Sequence, residues 1–154
     1  MSTVEDIRAL KAKLKNRQRL LGIDPGTKTI GLALSDFTLV IATPMETIRR
    51  KKFTTDIIRL KEIVEQHNVG GFVIGLPINM DGSEGPRCQS VRAFVRNLGQ
   101  HFDIPMAFWD ERLSTASVER TLIDADVSRA KRAQVIDKMA ASYILQGALD
   151  AIRY

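Results

Sequence analysis

The chain has 154 residues, 44% of them apolar and 27% charged, which suits one globular domain with a proper core. No apolar run approaches the roughly 20 residues of a membrane-spanning helix. The opening MSTVEDIRALKAKLKNRQ has no apolar stretch of the secretory kind, and the single cysteine, Cys88, excludes an intramolecular disulfide and a cysteine-based zinc site. These features predict a cytoplasmic protein with no membrane attachment. The net charge is +5, with bases clustered at Arg8–Arg19, at Arg49-Arg50-Lys51-Lys52 and at Arg129–Lys138. One such cluster is commonly a solvated helix face, but three together favour a polyanionic partner, nucleic acid above all.

In chain order, residues 4–18 read as a polar helix or a partly ordered basic arm, with Ile7, Leu10 and Leu14 at helical spacing. Residue 19 onward reads as the main domain, 19–154. Residues 19–24, 29–35 and 38–42 read as three strands of an antiparallel meander, the third ending before Pro44. Thr54 or Thr55 can cap a helix with Ile57, Leu60, Ile63 and Val64 on one face. The run VGGFVIGL, Val69 to Leu76, has the composition of a strand buried on both faces. It leads into the loop PINMDGSEGPR, and Val91, Phe94, Val95 and Leu98 then mark an amphipathic helix. IPMAFWDER is a further buried strand ending in acids. Residues 115–123 and 130–152 are helical in pattern, the last with Ile136, Met139, Ala140, Tyr143 and Ile144 inward. The order β-β-β-α-β-α-β-α-α predicts an α/β fold, a mixed five-stranded sheet in which the meander joins parallel strands through helical crossovers.

Ligands gather at the carboxyl ends of strands in such sheets. Asp24 closes the first strand before the turn Pro25-Gly26-Thr27-Lys28, and Asp110-Glu111 close the last. The bland reading of Asp24 is a turn former; the sharper one is a metal-binding or phosphate-facing acid, with Lys28 in the adjoining turn. Asp137 lies on the final helix with Ala133, Ala140 and Ala141 around it, and small neighbours leave room for an ion. Read alone, Asp137 fits a surface acid paired with Lys138 or Arg132 better. Two strand-end carboxylates and one on a packed helix are nevertheless the parts of a Mg²⁺ or Mn²⁺ site, since such ions prefer oxygen ligands and keep part of their shell for water and phosphate. Two ions about 4 Å apart can activate water and stabilise the leaving oxygen of a phosphodiester. Strand alternation puts Asp110 and Glu111 on opposite faces, so only one can be a ligand, and the local pattern does not choose. His67, His101 and Trp109 read as structural.

GIDPGTKTIGLALSD, VIGLPINMDGSEGPR, DERLST and VIDKMAASYIL stand in the order and at roughly the spacing of the YqgF/RuvX family. The likeness runs from about Leu20 to Leu149, and four motifs in register make it specific. That family is described as pre-16S rRNA nucleases and as Holliday-junction resolvases, and it resembles the RuvC resolvases of ribonuclease H-like fold. The resemblance implies a catalytic and metal-binding triad of Asp24, Glu111 and Asp137, with Asp110 as the neighbour of Glu111. It also implies a substrate-facing loop containing Asn79, Asp81 and Ser83, with Arg87 and Arg112 as phosphate contacts. The implied partners are structured RNA, pre-16S rRNA first and branched DNA second, with ribosomal particles behind them, for a monomer or a homodimer. The basic arm is longer than the family's usual start, and it reads equally as an RNA-binding extension or a docked helix. A non-catalytic nucleic-acid adaptor is the competing function, because the fold alone does not establish catalysis. DPGTKTIG also looks like the first phosphate loop of actin-like ATPases and sugar kinases, but the second domain and second phosphate loop those enzymes need are missing.

Overall fold

The computed structural model describes the backbone of residues 4–113 and 129–153 and the side chains of residues 6–113 and 139–153. The expected helix at 115–123 lies outside the described residues. The meander consists of β2 (Arg19–Pro25), β3 (Thr29–Ser35) and β4 (Ala42–Arg49), following a two-residue strand β1 (Val4–Glu5) and a short helix α1 (Ile7–Lys13). Then come α2 (Phe53–Gln66), β5 (Val69–Leu76), α3 (Pro86–Gly99), β6 (Met106–Asp110) and α4 (Arg129–Arg153). The sheet order is β1-β6-β5-β2-β3-β4, with β1, β6, β5 and β2 parallel and the meander antiparallel. The five long strands agree with the expected α/β arrangement, and β1 adds a sixth at the edge. Two residues are too few to show a strand period.

Alternation along the strands sorts side chains onto two faces. Leu21, Ile23, Phe72 and Ile74 pack with Ile57, Leu60 and Ile63 of α2 and with Val91, Val95 and Leu98 of α3. Leu20, Ala33, Val73 and Ala107 pack on the other face, with Leu10 of α1 and with Ala141, Ile144, Leu145, Ala148 and Leu149 of α4. The inward stripe of α4 therefore centres on Ala141, Ile144 and Leu145, whereas Met139, Ala140 and Tyr143 are half-buried. Gly22 sets this register. A Cβ built there would come within 2.8 Å of the Leu145 Cβ and 2.9 Å of the Ala141 carbonyl oxygen. Gly22→Ala accordingly lifts α4 off β2, and overpacking of this kind costs roughly 1–3 kcal/mol. The expected result is a Tm several degrees lower by differential scanning calorimetry; an unchanged Tm would mean that α4 does not sit down on this strand.

Two local expectations are corrected, and an open alternative for the basic arm is narrowed. The third strand spans Ala42–Arg49, not 38–42. Asp36 takes the intervening segment as a turn: its carboxylate accepts the Val40 N–H at 2.8 Å, the Ile41 N–H at 3.0 Å and the Thr38 hydroxyl. Those groups are then lost to a ladder, and Pro44 is tolerated because β4 is the sheet edge. Neither Thr54 nor Thr55 caps α2; Lys52 stands at the N-cap without a side-chain bond, and Phe53 anchors the first turn edge-on against Phe94 at 5.9 Å. Part of the basic arm is ordered as α1, capped by the Asp6 carboxylate accepting the Ala9 N–H at 2.8 Å, with Leu10 fully buried against Gly71. Among the described residues no helix is long and apolar enough to cross a membrane.

Candidate active site

Leu20, Gly22 and Asp24 alternate onto the face of the sheet that α4 covers, and Asp24 arrives there where β2 runs into the Pro25–Thr29 turn. The Gly26 N–H donates to the Thr29 carbonyl at 2.8 Å and closes that turn. On β6, Met106 and Phe108 face the α2–α3 side, while Ala107 and Trp109 face α4. Continuing the alternation, Asp110 turns away from α4 and Glu111 turns toward it. Asp110 is occupied there: Nε and Nη2 of Arg112 reach its carboxylate at 3.0 and 2.6 Å, and the Arg112 backbone N–H donates to it at 3.0 Å. This pairing holds the Asp110 carboxyl below its ordinary range.

Glu111 meets Asp24. Burial, then the Asp24 charge and a hydrogen bond between the two side chains, push the Glu111 carboxyl up from 4.5 to about 8, with Arg87 pulling the other way. The neutral form of Glu111 is thus favoured beside Asp24. Gly75 makes the space, because a Cβ there would lie 2.8 Å from Glu111 Oε1 and 2.4 Å from Ile144 Cδ1. The acids open into a cleft of about 930 Å³ whose other walls carry Lys28, Arg49, Arg50, Arg87 and Ala140. Asp137 has its backbone in α4, one turn before Ala140, and its side chain lies outside the described residues. Among the described residues no group of three His, Cys, Asp or Glu side chains is placed to share a metal ion.

Of the residues singled out from sequence, Asp24, Glu111, Lys28 and Arg87 thus come together in one cleft. Asn79, Asp81 and Ser83 instead form a self-bonded turn. The Ser83 hydroxyl donates to Asp81 at 2.6 Å, the Asn79 amide donates to the Ser83 oxygen at 3.1 Å, and Gly82 takes φ +89° between them. Arg112 bridges this turn to Asp110 through a long contact, 3.4 Å, to the Asn79 carbonyl. In the sequence Arg49 and Arg50 stand only as part of a charged block. The structure brings them to the acids because the Arg50 N–H donates to the Lys28 carbonyl at 2.9 Å, tying the end of β4 to the turn that follows Asp24. The signal available was a basic block directly after a meander strand.

A family model described as "RuvX: Holliday junction resolvase" matches residues 18–151. The chain belongs to the RuvX family. Among RuvX-type relatives, a protein of Methylocella silvestris named "Putative pre-16S rRNA nuclease" is 61% identical over 148 residues, covering 96% of this chain and 92% of its own. A protein of Roseobacter denitrificans with the same name is 59% identical over 152 residues, covering 97% and 93%. Among solved structures, T. thermophilus RuvC in complex with a Holliday junction substrate superposes with a TM-score of 0.52 at 14% identity, covering 87% of this chain and 94% of that one. The chain thus shares the ribonuclease H-like fold of RuvC.

Proposed function

We propose that the protein is a nuclease, a hydrolase of phosphodiester bonds, that trims the 5′ end of precursor 16S rRNA in the cytoplasm, with residues 19–154 as the nuclease unit and the basic segment 1–18 as an extension. The observation that carries this reading is the pair of carboxyl groups, Asp24 and Glu111, side by side in a cleft whose other charged walls are the cations Lys28, Arg49, Arg50 and Arg87. Two acids held that close are short of positive charge. A proton supplies it in the metal-free protein, and a hard divalent cation, Mg²⁺ or Mn²⁺, suits the same oxygen donors better. The residues fit such an ion: Asp24 and Glu111 would hold it, with Asp137 contributed by α4. Bound there, it would supply activation of water and stabilisation of the leaving oxygen.

The chain's own residues do the rest. Lys28, Arg49 and Arg87 bind the phosphates on either side of the acids, and the bonds of Arg50 to the β2–β3 turn fix the rim on which the strand rests. Gly75 and the sheet behind it hold Glu111 at the mouth of β6, so that the acid is placed before substrate arrives. Asn79, Asp81, Ser83 and Arg112 serve as a pre-formed loop beside the cleft for structure flanking the cut.

The family description names Holliday junctions, which makes branched DNA the second reading. A resolvase cutting two strands symmetrically needs a homodimer. Both are separated by one assay: full-length protein with Mg²⁺ or Mn²⁺ against a precursor 16S rRNA fragment and a four-way DNA junction at matched concentration. The expected result is metal-dependent cleavage of the RNA with little or none of the junction. Cleavage of the junction alone would move the function to DNA, and binding without cleavage of either would make the protein an adaptor.

A further inference from the structure

A second cleft, of about 500 Å³, adjoins the acid cleft and is walled by Arg50, Lys51, Arg87, Ser90, Val91 and Phe94. Arg50 and Arg87 line both. Resting on the nuclease reading, we propose that this second cleft receives one unpaired nucleotide next to the phosphate that is cut, so that the preferred substrate has a single-stranded flank at the cleavage site.

The volume falls within the roughly 300–1,000 Å³ of sites that enclose a small molecule, enough for a nucleotide. Its lining divides into two chemistries. Val91 and Phe94, 3% and 5% exposed, form an apolar floor, and the Phe94 ring is braced edge-on by Phe53. Arg50, Lys51 and Arg87 form a cationic rim. Arg50 is held in place twice: Nη1 donates to the Gly26 carbonyl at 2.6 Å, and the guanidinium lies 5.3 Å from the Phe94 ring centroid. A planar guanidinium beside an aromatic ring and an apolar floor suits a nucleobase, which stacks on such surfaces, and the rim suits its phosphate. A base within a duplex has its edge paired and both faces stacked, so only an unpaired one can enter. The sharing of Arg50 and Arg87 places this nucleotide next to the one whose phosphate meets Asp24 and Glu111. None of the nine residues lining this cleft is a carboxylate, so it selects for anions without the charge balance that the acid cleft contains.

The test measures fluorescence anisotropy of full-length protein in EDTA with three labelled RNAs: a blunt duplex, the same duplex with a 5′ overhang, and the same duplex with a 3′ overhang. One overhang is expected to bind roughly fivefold tighter or better than the blunt duplex, the low end of what stacking a single base contributes. Ser90→Glu, at an exposed position of α3, puts a carboxylate into the cleft, and Lys51→Ala removes a cation that lines this cleft and not the acid one. Both variants are expected to bring the ratio of overhang to blunt affinity toward one. Equal binding of overhang and blunt RNA by the wild type would overturn the proposal, and so would an undiminished ratio in both variants. A protein that prefers overhangs but cuts nothing would keep this cleft and sink the nuclease reading; one that cuts without the preference would do the reverse.

Discussion

Asp24→Asn is expected to cleave RNA about a thousandfold slower than wild type or worse, while binding it at least as tightly. The size follows from position. Losing an outer-shell partner of a metal ligand already costs roughly 10–100-fold, and Asp24 stands at the acids themselves. Asparagine keeps the shape and one acceptor oxygen but removes the charge that a divalent cation and a proton both answer to. Affinity is expected to survive because Lys28, Arg49, Arg50 and Arg87, which line the same cleft, would supply the proposed phosphate contacts, and the substitution removes an anion from among them. The measurement is single-turnover cleavage in Mg²⁺ or Mn²⁺ beside anisotropy in EDTA, with circular dichroism as the check on folding. Cleavage within tenfold of wild type would remove Asp24 from the site. Loss of both cleavage and binding in a folded variant would mean that the carboxylate positions the rim rather than the reaction.

How much of this was legible beforehand depended on whether the deciding contact was local. Val69–Leu76 was readable as a doubly buried strand because both its neighbours are strands and both its faces are covered, which leaves every residue buried. The meander strands β2 and β3 were readable as apolar runs for the same reason, each with four consecutive buried residues. The segment 38–42 reads as a strand because Thr38, Val40 and Ile41 are strand formers; what overrides them is one carboxylate, Asp36, collecting the N–H groups that a ladder would have used. The two readings of the arm could not be separated locally, because the docking of Leu10 needs the missing Cβ of Gly71, about sixty residues away in a strand that nothing in the arm announces.

The same distinction runs through the candidate site. Asp24 stood out as an acid ending an apolar strand. Alternation showed that Asp110 and Glu111 face opposite ways, but it could not say which face a helix covers, and that is a property of the assembled sheet. Once α4 lies over Gly22 and Val73, the face of Glu111 is the face of Asp24, and Asp110 is left on the other side for Arg112. Gly75 was passed over for a related reason: within a buried run it reads as a weak strand residue, and its use appears only when Glu111 and Ile144 arrive above it.

Glu111→Gln is expected to make the metal-free protein more stable than wild type near pH 8 and no more stable near pH 5. In the folded protein the Glu111 carboxyl holds its proton up to about 8, because burial and the neighbouring Asp24 disfavour its charge; unfolded, it releases the proton near 4.5. Between those values the folded state binds more protons than the unfolded one, so unfolding free energy falls as pH rises through the window, by on the order of a few kcal/mol in total. Below the window the penalty is absent. The acid limb belongs to other groups, such as Asp36. Burial pushes its carboxyl up, but hydrogen bonds from Thr38, Ile41 and Val40 outweigh that and hold it at about 2, so its contribution is present above its ordinary value and lost as pH falls toward 2. A glutamine at 111 donates to Asp24 at every pH without titrating, which removes the decline and raises Tm near pH 8 by several degrees, at about 2–4 °C per kcal/mol for a chain of this size. Mg²⁺ or Mn²⁺ should restore the wild type there, since a cation displaces the shared proton and its binding tightens as that proton becomes easier to lose; the variant should gain little. Calorimetry of both proteins in EDTA from about pH 5 to pH 8, then with metal added, reads all of this. A wild-type Tm that stays flat across the window would mean that Glu111 is charged in the folded protein, and the two acids would then lack the close pairing on which a shared cation depends.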